Sequence, residues 1–168
     1  MRQRKRNRLK EFDYSQTGYY FITICTDNMI NFFGNVINSD VKLNRYGNIV
    51  KNRLTLLQKN YPYVTLDEFV IMPNHVHVIL VIDRSSVGTT RELSLPIKTK
   101  SLSGLVGVFK TTSSKEIHNN GLSEFKWQRS FYDRVIRNEK ELFQIKKYII
   151  QNPLKWEIEK ETTENIEL

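Results

Sequence analysis

Two periodicities of apolar residues divide this chain into strands and helices. Short segments rich in β-branched and aromatic residues, bounded by Gly, Pro, Asn or Asp, are typical of strands. Apolar residues that recur every three to four positions are typical of helices. The predicted strands are residues 19–27, 32–37, 66–72, 74–82 and 126–136. The predicted helices are residues 47–60, 101–118 and 138–152.

This order of elements, β-β-α-β-β-α-β-α, predicts an α+β fold in which helices pack against a mainly antiparallel sheet. A chain of 168 residues suggests a single domain. Residues 83–100 hold Ser, Gly, Thr and Pro and are predicted to form a mobile loop. No apolar run is long enough to cross a membrane, so no membrane partner is expected. The single cysteine, Cys25, excludes an internal disulfide and a cysteine-built zinc site, and a reducing cytoplasm is the expected location.

Two histidines, His75 and His77, stand two residues apart inside the apolar segment 74–82. Residues i and i+2 of a strand point to the same face, so the two imidazoles can converge on one metal ion. The alternative is a pair of hydrogen-bonded structural histidines, since neutral histidine is often accommodated in a protein interior. Asn74, just before the pair, is interpreted only as a residue that shapes a bend.

The last helix carries polar residues beside an apolar stripe. Asn138 is predicted to cap it, supported by Glu141 three residues later, and Pro153 is predicted to end it. Tyr148 and Asn152 are four residues apart and therefore share one side of the helix. From the helix alone, a structural role is the favoured interpretation, with Tyr148 at the edge of the stripe and Asn152 as a C-terminal cap. The stripe consists of Leu142, Ile145 and Ile149.

The charge of the chain is positive and unevenly distributed. Net charge is +8, residues 1–10 carry six basic and no acidic side chains, and residues 157–168 carry five Glu and one Lys. Because the net charge exceeds that of the basic arm despite an acidic tail, the body is also basic, which favours a polyanionic partner over a merely solvated surface. We predict a flexible basic arm at residues 1–10, one domain at residues 11–156 and an acidic tail at residues 157–168. The predicted DNA-contacting residues are Arg4, Arg6, Arg8, Lys110, Arg134, Arg137 and Trp127.

Three motifs follow one another in the order found in single-tyrosine HUH transposases. They are residues 72–77 (MPNHVH), 127–134 (WQRSFYDR) and 148–153 (YIIQNP). The opening segments 8–10 (RLK), 13–15 (DYS) and 18–26 (GYYFITICT) resemble the branch called REP-associated tyrosine transposases. Matching segments extend from about residue 8 to residue 156, and residues 11–156 would form the catalytic domain.

The resemblance implies a ferredoxin-like core and metal-dependent cleavage and rejoining of single-stranded DNA near hairpins. It implies that Tyr148 is the nucleophile, which forms a 5′-phosphotyrosine, and that His75, His77 and Asn152 bind the metal. Two imidazoles and an amide oxygen suit Mn²⁺, with Mg²⁺ bound more weakly but more abundant. Relatives are monomers or homodimers that exchange the tyrosine helix, so both states are expected here.

Other interpretations remain open from the sequence. A replication initiator or relaxase shares the His-hydrophobic-His pattern, and a non-catalytic nucleic-acid-binding domain derived from a transposase would share the fold. Tyr132 is a rival tyrosine, interpreted as structural or DNA-contacting because its neighbour Asp133 would point to the other face of a strand. Trp127 is as well explained by a core role as by stacking on a base. His118 is predicted to lie on the surface.

Overall fold

A computed structural model describes residues 16–85 and 99–166, and within them the chain forms a four-stranded antiparallel sheet with helices on both faces. The strand order is β4-β5-β1-β6, and a two-stranded hairpin stands apart from the sheet. This is the α+β, ferredoxin-like arrangement expected from the order of elements. The strands are β1 (Gly18–Cys25), β2 (Gly34–Ile37), β3 (Asp40–Leu43), β4 (Val64–Ile71), β5 (His75–Ile82) and β6 (Tyr132–Ile136). The helices are α1 (Arg45–Asn60), α2 (Leu102–Asn119) and α3 (Glu139–Ile166).

The two faces of the sheet have different cores because side chains alternate along each strand. Alternate residues of β1 and β5, among them Ile22 and Val78, belong to the large cluster that includes residues of α1 and α2. Ile79 of β5 lies on the other face and belongs to a smaller cluster with residues of α3. The members of this smaller buried cluster are Ile79, Ile136, Ile145 and Ile149. Helix α3 is therefore held against the face that carries His75 and His77.

Polar side chains fix where the helices begin. The Asn44 side chain accepts hydrogen bonds from the amides that open α1, and Ser101 does the same for α2. Asn138 accepts from the Glu141 amide at 2.8 Å, while the Glu141 carboxylate accepts from the Arg137 amide at 2.9 Å. This reciprocal pair confirms the predicted cap of α3.

Two sequence-based boundaries were wrong, and one strand was missed. Helix α3 does not end at Pro153 but continues to Ile166, so residues 157–166 are helical. Strand β3 was not predicted, because its turn uses Asn38 and Ser39 at positive φ without the usual glycine. The last strand begins at Tyr132 rather than at residue 126. The Lys110 ammonium accounts for this shorter strand, since it binds three carbonyl oxygens that a longer strand would use: those of Gln128, Arg129 and Ser130.

The second half of α3 is attached to the β2–β3 turn through Glu157. Its carboxylate accepts hydrogen bonds from the Asn38 amide at 2.9 Å, the Ser39 amide at 2.7 Å and the Ser39 hydroxyl at 2.9 Å. We call this group, formed by Asn38, Ser39 and Glu157, the turn clamp. Pro153 removes one intrahelical hydrogen bond and crowds the turn before it. The turn clamp helps to hold the part of the helix beyond Pro153 against the hairpin.

Replacing Glu157 with alanine should lower the free energy of unfolding by about 1–2 kcal/mol, because three hydrogen bonds to a charged but partly exposed acceptor are lost. Chemical denaturation measures the change. Glu159→Ala, which removes a charge pair with Lys155 between two exposed side chains, is the matched control and should cost less than the loss of Glu157. Equal losses in the two variants would contradict a specific role for the turn clamp.

Among the described residues, no helix combines the length and the apolar character needed to cross a membrane. The predicted basic arm and most of the predicted loop lie outside the described residues, as do Arg4, Arg6 and Arg8.

Candidate active site

His75 and His77 lie side by side on the α3 face of the sheet. They occupy the first and third positions of β5, and their ring centroids are 4.5 Å apart. Both are buried, with 8% and 5% of their surface exposed. The pairing of β5 with β1 places Thr23 directly opposite His77.

Each ring is oriented by a hydrogen bond at Nδ1. Asn74 donates its side-chain amide to the Met29 carbonyl at 2.9 Å, so its Oδ1 is free to accept from His75 Nδ1–H at 2.7 Å. The lone pair of His75 is thereby placed on Nε2. His77 Nδ1 is bonded to the Thr23 hydroxyl at 2.8 Å. When Nδ1–H donates to that hydroxyl, the lone pair of His77 also lies on Nε2, which is the usual arrangement of metal-binding histidines.

Burial keeps both imidazoles neutral at ordinary pH. It lowers the pKa of His75 to about 4, although a hydrogen bond with Asn152 acts in the opposite direction. Burial also lowers the pKa of His77 to about 3, and the neighbouring His75 adds to that effect. Neutral imidazole is the form that binds metals, so the site does not require a proton to be removed first.

Helix α3 presents three residues to the histidines, one on each successive turn. The Tyr148 hydroxyl lies 3.3 Å from His77 Nε2, Asn152 is hydrogen-bonded to His75, and the Trp156 ring centroid lies 5.9 Å from that of His75. The spacing of four residues keeps them on one side of the helix. Asn152 is 6% exposed, whereas Tyr148 is 41% exposed and open to a substrate.

The four residues singled out as nucleophile and metal ligands therefore come together in one chain. No group of three or more His, Cys, Asp or Glu side chains suited to a metal ion occurs in the described parts of the chain. The third donor would be the neutral Asn152 amide. Two imidazole nitrogens and one amide oxygen could hold a divalent cation such as Mn²⁺, and phosphate oxygens would supply the oxygen donors and the negative charge that the protein ligands lack.

Several neighbours of this site were not found from the sequence. Thr23 depends on the register between β1 and β5, which alternation alone does not fix. Trp156 was missed because the helix was expected to end at Pro153. Its spacing of four residues from Asn152 was the available signal. Asn74 does more than shape a bend, since it orients His75.

Tyr132 lies near the same site without touching the histidines. It pairs with Thr23 across β1 and β6, on the same row of the sheet as His77, and is 56% exposed. Phe21, also on this face, contacts the Tyr148 ring edge-on at 6.1 Å. The geometry thus favours Tyr148 over Tyr132 as the tyrosine next to the histidines.

The predicted DNA contacts have varied surroundings. Lys110 is occupied by backbone carbonyls, and Arg134 forms an ion pair with Glu141 at 2.5 Å. Arg137 is exposed. Trp127 packs against Phe33, Phe109 and Phe125 and donates its indole N–H to Ser113 at 3.0 Å. This arrangement favours the core role for Trp127, while its role in DNA binding stays a prediction. His118 is exposed, as predicted.

The proteins similar to this chain include one sequence relative and two solved structures. No protein-family model matches the chain. A Haemophilus influenzae protein described only as uncharacterized is 38% identical over 162 residues, covering 92% of this chain and 90% of that protein. A REP-associated tyrosine transposase solved with a REP hairpin superposes with a TM-score of 0.57 at 20% identity, over 88% of this chain and 74% of that one. A presumed transposase from Deinococcus radiodurans R1 gives a TM-score of 0.50 at 16% identity, over 84% of this chain and 95% of that one.

Proposed function

Because this chain belongs to the same family as the Haemophilus influenzae protein and has the fold of the single-tyrosine HUH transposases, we propose that it cleaves and rejoins single-stranded DNA through a covalent phosphotyrosine. The observation that carries this proposal is the 3.3 Å approach of the Tyr148 hydroxyl to His77 Nε2, beside the Asn152–His75 contact. The proposed nucleophile thus stands next to the proposed metal donors. DNA near a hairpin is the proposed substrate, since the structural neighbour was solved with a REP hairpin.

The reaction is a transesterification at phosphorus. The Tyr148 oxygen attacks the scissile phosphate, its phenolic proton passes to water, and the bond between phosphorus and the 3′ oxygen breaks. The 3′ oxygen takes a proton and leaves as a free hydroxyl, while the 5′ phosphate stays on Tyr148. Attack of a 3′-hydroxyl on the phosphotyrosine rejoins the strand and restores the phenol, so no external energy source is needed.

His75, His77 and Asn152 would hold the divalent cation. When bound, this cation, Mn²⁺ or Mg²⁺, polarises the phosphate and stabilises the negative charge that develops on its oxygens. The residues of the chain orient the reaction: Thr23 and Asn74 fix the two imidazoles, and helix α3 holds the phenol against them. The Lys155 ammonium lies 6.0 Å from the centre of the Tyr148 ring and adds positive charge near the nucleophile.

The overall charge supports a nucleic-acid partner. Net charge is +8, and a cleft of about 640 Å³ around the end of α2 is lined by Lys115, Lys126 and Arg129 among others. Cationic side chains of this kind bind phosphates without reading sequence. Because Tyr148 and the histidines of one chain already meet, we propose that a monomer is sufficient, with helix exchange in a homodimer as the alternative.

The Thr23→Val variant should bind Mn²⁺ about 10- to 100-fold more weakly, because valine has the same shape but cannot orient His77. Calorimetric titration measures the affinity without reference to cleavage. Thr55→Val is the matched control, since the Thr55 hydroxyl bonds only to the Lys51 carbonyl on the far helix α1. Unchanged affinity in Thr23→Val would argue against His77 as a ligand.

The proposed function is tested by incubating the protein with Mn²⁺ and labelled single-stranded DNA that carries a hairpin. We expect a covalent protein–DNA adduct that survives denaturation, together with a free 3′-hydroxyl end. Hairpins from repeated palindromes near the gene are the substrates to try first. Tight binding without any adduct across such a set would favour the non-catalytic DNA-binding interpretation.

A further inference from the structure

A second cleft opens beside the histidines, between the β2–β3 hairpin and the second half of α3. Its volume is about 550 Å³, within the range of about 300–1,000 Å³ typical of small-ligand sites. One of its walls is Trp156, whose ring centroid lies 5.9 Å from that of His75. Pro73, two residues before His75, also lines it. The cleft therefore adjoins the candidate active site through Trp156, and its lining includes none of the proposed metal ligands.

The position of both walls is fixed by hydrogen bonds. The Pro73 carbonyl accepts from the amides of Phe32 and Phe33 at 2.9 and 3.0 Å, which joins the segment before the hairpin to the turn before β5. On the other side, the turn clamp attaches α3 to the tip of the hairpin. A preformed cleft loses less free energy on binding than one that must be ordered by its ligand.

The chemistry of the lining suits a flat heteroaromatic ring rather than a phosphate. The apolar members are Val36, Ile37, Pro73 and Trp156, and Asn31 and Asn35 contribute amides. An indole provides a surface on which a base can stack, and an amide carries both donors and an acceptor for the edge of a base. Lys160 lines the cleft too, but Glu159 lies beside it, so the lining carries no clear excess of positive charge for a phosphate.

From this arrangement we infer that the cleft binds one unpaired nucleobase of the DNA strand, next to the phosphate that Tyr148 attacks, with Trp156 stacking on it. The inference rests on the proposed function for the position of the phosphate. It assigns the recognition of a nucleobase to residues other than the proposed nucleophile and metal ligands. Stacking on Trp156 would hold the strand in place with the scissile bond facing Tyr148, so that a duplex, whose bases are already stacked, would be a poor substrate.

Intrinsic fluorescence tests the stacking directly, because the chain has only two tryptophans. Trp127→Phe leaves Trp156 as the single emitter. This variant is titrated, with EDTA present, with short oligodeoxyadenylate, with oligothymidylate and with an abasic oligomer of equal length. We expect the two base-bearing oligomers to quench the emission of Trp156 and the abasic oligomer to leave it unchanged. Quenching by all three alike, or by none, would overturn the inference.

Affinity gives an independent test that does not depend on Trp127. Trp156→Leu should weaken binding of the base-bearing oligomers by about 5- to 150-fold, the effect of losing one stacked base, and should not change binding of the abasic oligomer. Trp156→Phe should restore part of the affinity. Leu154→Ala is the control, since Leu154 is exposed on the same helix and does not line the cleft. Equal losses for all oligomers, with or without bases, would indicate that Trp156 acts through the fold.

These results are separable from the proposed function. If the bases quench Trp156 but the protein never forms an adduct, the cleft binds a nucleobase and the proposed cleavage activity is wrong. If adducts form and require Tyr148, but Trp156 gives no base-dependent signal, the proposed activity stands and the cleft does not bind a nucleobase.

Discussion

The Tyr148→Phe variant will form no covalent adduct with hairpin DNA in the presence of Mn²⁺, while it binds the same DNA as tightly as the wild type. The phenol supplies the oxygen of the new bond to phosphorus, and phenylalanine has no atom that can replace it. We expect the cleavage rate to fall by more than about 10³-fold, as for the loss of other covalent nucleophiles. Denaturing electrophoresis of labelled DNA with the protein measures the adduct.

Two controls make this result specific. Tyr148 is 41% exposed and phenylalanine keeps the ring that packs edge-on against Phe21, so losing the contact of the hydroxyl with His77 Nε2 should cost little stability. Tyr132→Phe removes another exposed tyrosine on the same face of the sheet and should retain adduct formation. If Tyr148→Phe forms normal adducts and Tyr132→Phe does not, the assignment of the nucleophile is wrong.

The second large effect concerns metal binding. His77→Ala should lower the affinity for Mn²⁺ by more than about 100-fold, beyond the effect of losing a residue that only orients a ligand. A neutral site with two imidazoles and one amide has no carboxylate to compensate for the missing nitrogen. Titration calorimetry or the electron paramagnetic resonance of free Mn²⁺ measures binding directly, without any DNA.

The third histidine of the chain provides the matched control for this measurement. His118 lies on α2, is exposed and hydrogen-bonds the Phe125 carbonyl at 2.8 Å, away from the site. His118→Ala should bind Mn²⁺ like the wild type. Because His77 is buried, His77→Gln is measured as well, to separate loss of the ligand from a packing defect. If both His77 variants bind Mn²⁺ with the affinity of the wild type, the histidine pair is not the metal site.

Much of this site could be predicted because its residues follow local rules. Two histidines on one strand share a face by alternation, and Tyr148 and Asn152 share a side of a helix by their spacing of four residues. The cap at Asn138 has a side-chain signature that can be recognised without knowing the fold. These features depend only on neighbours within a few residues, where the sequence is informative.

The features that were missed depend on contacts between distant segments. Proline normally limits a helix, but here the part of α3 just beyond Pro153 is attached through Glu157 to the hairpin, which is more than a hundred residues away in the sequence. The short last strand depends on Lys110 from another helix. Thr23 reaches His77 only because of the register between β1 and β5. Tertiary contacts override local propensity in each case.

The attachment of α3 at its beginning and again at Glu157 has a consequence for motion. The Asn138–Glu141 cap holds the beginning of the helix, and the turn clamp holds its second half, so Tyr148 lies between two anchored points. The phenol therefore cannot swing away from the histidines as an independent arm. If the proposed phosphotyrosine is carried to a new DNA end by a movement of α3, that movement must either release one anchor or take the hairpin and the helix together as one body.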